Sequence, residues 1–185
     1  VWAWGYNDSG LLGDGTSTGR LIPVPVSTLT NVASVSAGSR HNLAVNTDGT
    51  VWAWGDNASG QLGDGTTTDR SVPVQVSTLT NVASVSAGRS HSLAVESEGA
   101  LWAWGSNYYG QRGDGMTSDR KTPVQVSGLV GALLVAAGVS HSVGIASSVL
   151  PGHLKISIQP SAGAAGVPLA IQPVVEALHA DGTLW

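Results

Sequence analysis

One feature constrains this chain more than any other: it says nearly the same thing three times. Val1-Trp2-Ala3-Trp4-Gly5 returns unchanged at Val51 to Gly55 and, with one substitution, as Leu101 to Gly105. Residues 1–50, 51–100 and 101–146 align without a gap, and the first two share about 35 of 50 positions. Segments this similar must build the same supersecondary unit, and units of this length bury their apolar faces against their neighbours.

Residues 82–127 serve as one unit. Val82 to Gly88 and His91 to Val95 alternate apolar with small or polar residues, the pattern of short strands. Glu96-Ser97-Glu98-Gly99 is a turn, and its counterpart Asn46-Thr47-Asp48-Gly49 ends in an Asp-Gly step, a strong hairpin signal. The hairpin leads into the Trp strand. In a strand, residues i and i+2 share a face, so Trp52 and Trp54 form one aromatic face and Ala53 the other. The smallness of Ala3, Ala53 and Ala103 predicts a close backbone on that second side. A polar loop, Ser106 to Lys121, then precedes Pro123-Val124-Gln125-Val126-Ser127, a Pro-started strand suited to a sheet edge. Four short strands joined as a meander make one blade of a β-propeller, so the expected class is all-β, with four-stranded antiparallel blades. Trp2, Trp4, Trp52, Trp54, Trp102 and Trp104 are expected to wedge between blades, each aromatic burying on the order of 150–250 Å².

The wording AGRSHSLAVESEGALWAWGSNYYGQRGDGMTSDRKTPVQV resembles a repeat of the regulator-of-chromosome-condensation family, in the form used by bacterial members. The resemblance covers residues 1 to about 146 and rests on a Gly-to-His step, a DG turn, W-x-W-G-x-N, a GQLGDG-like loop and a PVxV strand. It implies a ring that is usually seven-bladed and, for this bacterial wording, a part of a large surface or secreted protein. It implies no single activity, because members include a nucleotide exchange factor, a photoreceptor and a β-lactamase inhibitor. Counting strands gives two whole blades flanked by two half-blades over residues 1–146. Open blades would expose strand edges and Trp faces. The expectation is therefore a part of a longer ring, or self-association by blade completion, the N-terminal half-blade of one copy pairing with the C-terminal half-blade of the next. Residues 147–185 read differently, as a linker and the opening strands of a module similar to bacterial immunoglobulin-like surface domains. A rival reading makes Asp181 to Trp185 a returning repeat, matching Asp48 to Trp52.

Composition narrows the partners. The net charge is −4, the only lysines are Lys121 and Lys155, and the arginines are scattered, so no basic stripe suits a nucleic-acid backbone. Nucleic acid is not an expected partner. The chain has no Cys, hence neither disulfides nor thiolate metal sites. No run of 18 apolar residues predicts a membrane span.

Chemistry-bearing residues mostly have structural readings. His41, His91 and His141 recur once per repeat, a blade's width apart, whereas zinc needs ligands sharing one point ~2.0–2.1 Å from each nitrogen. They are read as structural hydrogen-bonding groups. The loop from Asp56 to Asp69 offers oxygen ligands but lacks the order and the bidentate Glu of a calcium loop, so turn formation is the preferred reading. Asp14, Asp64 and Asp114 are spaced to pair with Arg20, Arg70 and Arg120. No catalytic or cofactor motif is present, and neither an enzyme nor a cofactor is expected. The steps Gly38 to His41, Gly88 to His91 and Gly138 to His141 lack the Trp of the photoreceptor member, which argues against light sensing. The informative residues break the repeat. Tyr108 and Tyr109 replace Ala58-Ser59, and with Tyr6, Arg112, Met116 and Lys121 they are candidates for a protein-binding surface on the loops. Two functions stay open: a non-catalytic binding module of a bacterial extracellular or surface protein, or an intracellular propeller regulating a GTPase.

Overall fold

The computed structural model describes residues 1–147, 154–156 and 175–177. The chain divides into two compact units, Val1–Ala146 and Ser147–Trp185. In the second, β13 (Leu154–Ile156) pairs antiparallel with β14 (Val175–Ala177). The immunoglobulin-like and returning-repeat readings of this tail rest mainly on residues outside the described ones.

The first unit holds twelve strands in chain order. β1 (Trp2–Gly5) and β2 (Arg20–Pro25) form a pair; β3 (Val32–Ala37), β4 (His41–Asn46), β5 (Val51–Gly55) and β6 (Arg70–Gln75) form a four-stranded sheet. β7 (Val82–Ala87), β8 (His91–Glu96), β9 (Leu101–Gly105) and β10 (Arg120–Gln125) repeat that sheet, and β11 (Ala132–Ala137) pairs with β12 (Ser142–Ala146). All pairings are antiparallel between chain neighbours. This is an all-β fold of propeller blades, in which β1–β2 supplies two outer strands and β11–β12 two inner ones.

The β4–β5 hairpin shows how sequence sets register. Gly49 sits at φ +77°, where a side chain would be strained, while Asp48 Oδ1 accepts from the Thr50 amide (2.9 Å). The turn pins Val45 opposite Val51, which places Ala44 opposite Trp52 and Asn42 opposite Trp54. The two faces then separate by residue size. Leu43, Val45, Val51 and Ala53 face the following blade and meet Ala94 and Trp104 there, whereas Ala44 and Trp54 face the preceding half-blade and pack with Val26 and Ala3. The first two interfaces are thus each an aliphatic face receiving a Trp and Ala face, and Ala53 and Ala103 are fully buried.

Candidate protein-binding face and the interblade network

The indoles are positioned by the loop of the blade before. Trp104 Nε1 donates to the Gln61 carbonyl (2.8 Å) and Trp54 Nε1 to the Leu11 carbonyl (3.0 Å). Gly63 makes room: at φ +70° a Cβ there would lie 2.8 Å from Trp104 Nε1 and 2.9 Å from Val76, and Gly13 meets Trp54 and Val26 in the same way. Trp52 and Trp102 are half-buried. Trp102 Nε1 is buried without a partner, because Ala100 stands where Thr50 offers its hydroxyl to Trp52. Trp2 and Trp4 depart from the expected burial, at 64% and 62% exposed. Their strand β1 pairs only with β2, and no described residue covers its aromatic face.

The histidines tie blades together. His41 Nε2 lies 2.8 Å from Ser92 Oγ one blade on, and His91 Nε2 lies 3.0 Å from Ser142 Oγ. Ser92 Oγ donates its single proton to the Gln61 carbonyl (2.7 Å), so His41 must carry its proton on Nε2 and donate to the hydroxyl. Burial holds His41 down to about 3 and His91 down to about 4, the next histidine in the series adding to each, so both rings are neutral. Their Nδ1 atoms are buried without a partner. His141 is exposed. The serines were not singled out from sequence, although the His-Asn, His-Ser and His-Ser dipeptides at 41, 91 and 141 are a signal: whatever follows one histidine meets the histidine of the blade before.

The loops after the Trp strands are braced by an asparagine in each repeat. Asn57 Oδ1 accepts from the Leu62 amide (3.0 Å), and its Nδ2 donates to Asp64 Oδ1 (3.1 Å) and to the carbonyls of Thr66 and Thr68. Asn7 and Asn107 repeat the arrangement with Asp14 and Asp114. Asp64 is saturated: Oδ1 also accepts from Thr66, and Oδ2 accepts from Arg70 Nε (2.9 Å) and Nη2 (2.7 Å). Burial pushes its carboxyl up, but the Thr66, Arg70 and Asn57 bonds together hold it below the usual range. Thr66's counterpart Thr16, with Arg20, holds Asp14 at about 2. These carboxylates have protein donors on both oxygens, which leaves them poor cation ligands. Among the described residues no group of three or more His, Asp or Glu could hold a metal.

The third loop differs, and two readings need correction there. Arg112 is not part of a surface but 1% exposed, standing where the first two repeats bury Leu12 and Leu62. Its Nη2 pairs with Asp114, while Nε and Nη1 are buried without partners. Burial pulls the guanidinium below its ordinary value against the opposing carboxylate. The Arg20–Asp14 (2.9 Å) and Arg70–Asp64 ion pairs form as the spacing predicts, but Arg112 takes Asp114 from Arg120, which is exposed. Beside it, Tyr108 and Tyr109 project outward, 76% and 70% exposed, their rings edge to face with centroids 4.9 Å apart. Tyr109's amide is held by Gln111 Oε1 (3.0 Å). Met116 and Lys121 are exposed too. Tyr6, exposed on the first loop, donates to Asp8, and that bond raises its pKa. The structure places Lys121 against Gly60 of the preceding loop, the two backbones so close that a Cβ at Gly60 would lie 2.7 Å from Lys121 Cα.

Blades of this pattern, with indoles locked onto the preceding loop, define a β-propeller repeat. Residues 1–45, 48–95 and 98–145 match the Regulator of chromosome condensation (RCC1) repeat, and the chain belongs to that family. Solved structures agree on the fold. Human WBSCR16 is 22% identical, with a TM-score of 0.70 over 80% of this chain and 40% of its own. A crystal structure of Kap60 bound to yeast RCC1 (Prp20) matches at 26% identity and TM-score 0.68, over 79% of this chain and 37% of the matched one. Prp20p from Saccharomyces cerevisiae, described with its binding properties to Gsp1p and histones, matches at 23% identity and TM-score 0.68, over 80% of this chain and 40% of that one. This chain therefore spans about 40% of the length of those chains. Among the described residues no helix is long and apolar enough to cross a membrane.

Proposed function

We propose that this chain is a non-catalytic protein-binding module of a larger bacterial extracellular or surface protein, and that it contributes blades to a ring, of seven by analogy with the family. The partner is engaged through the loops that follow the Trp strands. One observation carries this reading. The third loop is fixed by the same Asn-centred bonds as the other two, yet it presents an exposed Tyr108–Tyr109 pair where the others have Ala58-Ser59 and Asp8-Ser9. Rigid aromatic rings offer contact area at low entropic cost, and tyrosine is favoured at the energetic centres of interfaces. The test is a paired capture from surface extract and cytosolic lysate, using the wild-type chain and Tyr108→Ser/Tyr109→Ser. A surface protein retained by the wild type and lost with the variant supports the proposal. Equal capture by both refutes the loop assignment.

Self-association by blade completion belongs to the same reading, supported by the two half-blades with complementary strands. The second reading is guanine nucleotide exchange or another intracellular regulatory role, favoured by the likeness to a structure of Prp20p described with Gsp1p binding. It predicts faster nucleotide release from a small GTPase, measured with a fluorescent guanine nucleotide. Release unchanged by saturating chain excludes it.

A further inference from the structure

The interface between β7–β10 and β11–β12 has the features that hold an indole elsewhere, but no indole among the described residues. At the two preceding interfaces one loop carbonyl accepts two bonds: Leu11 from Asn42 Nδ2 (2.8 Å) and Trp54 Nε1 (3.0 Å), and Gln61 from Ser92 Oγ (2.7 Å) and Trp104 Nε1 (2.8 Å). The Gln111 carbonyl accepts from Ser142 Oγ (2.7 Å), and the indole bond has no counterpart among the described residues. Gly13 and Gly63 each face an indole and a valine, whereas Gly113 faces Val126 alone, at 3.5 Å. A cavity of about 360 Å³ opens there, lined by Leu93, Leu101, Gln111, Gly113, Val126 and Ser142 among others. Arg112 also lines it, with two guanidinium nitrogens unpartnered. Leu62, the residue at its position one repeat earlier, packs in the same cluster as Trp104. A guanidinium in that place suits an indole face, since a cation over an aromatic ring is stabilised without a hydrogen-bond acceptor.

We propose that this slot receives Trp4 of a second copy of the chain, whose β1 adds to the edge of β12 that is unpaired among the described residues. Trp4 is the residue equivalent to Trp54 and Trp104, it is exposed, and β1 is the one described Trp strand whose inner edge is unpaired. The intact blades fix the register. Asn42 opposes Trp54 and Ser92 opposes Trp104, so Ser142 opposes Trp4; Leu43 and Leu93 oppose Ala53 and Ala103, so Val143 opposes Ala3. The chain's own β1–β2 pair is not the occupant, because the bonds from Asn42 and Trp54 to Leu11 anchor it at the opposite end of the unit. The contact is heterologous, one end of each copy against the other end of the next, and it either closes into a ring or continues as an oligomer.

This inference deepens the blade-completion part of the proposed function, and the experiment separates the two. Sedimentation velocity across the micromolar range should show mass rising with concentration for the wild type and a monomer for Trp4→Ala, a substitution at an exposed residue that leaves the fold intact. Arg112→Leu should weaken association roughly two- to thirtyfold, the range of a desolvated cation–π contact. The chain has no Cys, so Ala3→Cys and Val143→Cys chains mixed under mild oxidant should form an interchain disulfide, and neither alone should. A wild type that stays monomeric, with no cross-link in the mixture, overturns both blade completion and the slot. A cross-link that forms while Trp4→Ala associates as tightly as wild type overturns the indole slot alone.

Discussion

The hydroxyl of Ser92 holds two blades together, and its removal gives the sharpest test of that claim. Ser92→Ala deletes one oxygen that donates to Gln61 and accepts from His41, with both Ser92 and His41 fully buried. The Gln61 carbonyl keeps its bond from Trp104, so little is lost there. The histidine is different. Its Nδ1 has no partner already, so after the substitution whichever nitrogen carries the proton is a buried, unpaired donor. Leaving such a group unsatisfied costs about 1–3 kcal/mol, to which the net loss of the bonds adds about 1. We expect Ser92→Ala to cost about 2–4 kcal/mol. Ser84 supplies the control: its Oγ is buried with no partner at all, so Ser84→Ala should be neutral or stabilising. The measurement is urea unfolding of the full chain followed by tryptophan fluorescence, comparing midpoints at unchanged slope. Equal effects from the two serines would refute the interblade argument, since burial alone, not partnership, would then set the cost.

Three further outcomes follow from the same geometry. Acid should destabilise the blades before it reaches the carboxylates: His41 and His91 titrate in the fold at about 3 and about 4 but near 6.5 when unfolded, so the unfolded chain binds more protons as pH falls below 6.5. Stability is then lost at about 1.4 kcal/mol per pH unit for each ring, and a midpoint that stays constant from pH 7 to pH 4.5 would contradict it. Arg112→Leu should raise the stability of the monomer by about 1–2 kcal/mol, because it removes two unpaired buried nitrogens and frees Asp114 for Arg120; a fall in melting temperature would count against it. Gly63→Ala should cost at least about 2 kcal/mol, combining a left-handed backbone with a clash on Trp104, whereas Gly65→Ala, at φ +84° in open space, should cost only about 1.

The core was legible because the same solution is written three times. Alternation fixed the strands, the Asp48-Gly49 turn fixed the register, and the Trp-Ala-Trp strand set which face is large and which is small. Contacts that link residue i to i+51 were harder to see. His41 and Ser92 belong to different repeats, and only the closing of one blade on the next brings them together. Trp4 shows the same limit from the other side: the same letter as Trp54 in the same motif, but opposite exposure, because burial of that indole is a property of the preceding blade's loop rather than of its own strand.

Arg112 is the residue at which the two kinds of reading diverge most. Its type suggested a surface, but the structure buries it where the other repeats bury Leu12 and Leu62, and position in the repeat outweighs residue type because the backbone path is set by every other residue of the unit. Burial of an arginine with only one of its nitrogens paired is costly, and neighbouring repeats avoid that cost with leucine. The same repeat also brings the Tyr108–Tyr109 pair to the surface and breaks the Asp114–Arg120 clasp. Three departures concentrated in one loop of an otherwise duplicated design mark where this chain has specialised, and each departure leaves a group that is under-satisfied within its own chain. Exposed rings and unpaired guanidinium nitrogens gain most from an incoming surface, so the third loop and the slot beside it are where binding has most free energy to recover.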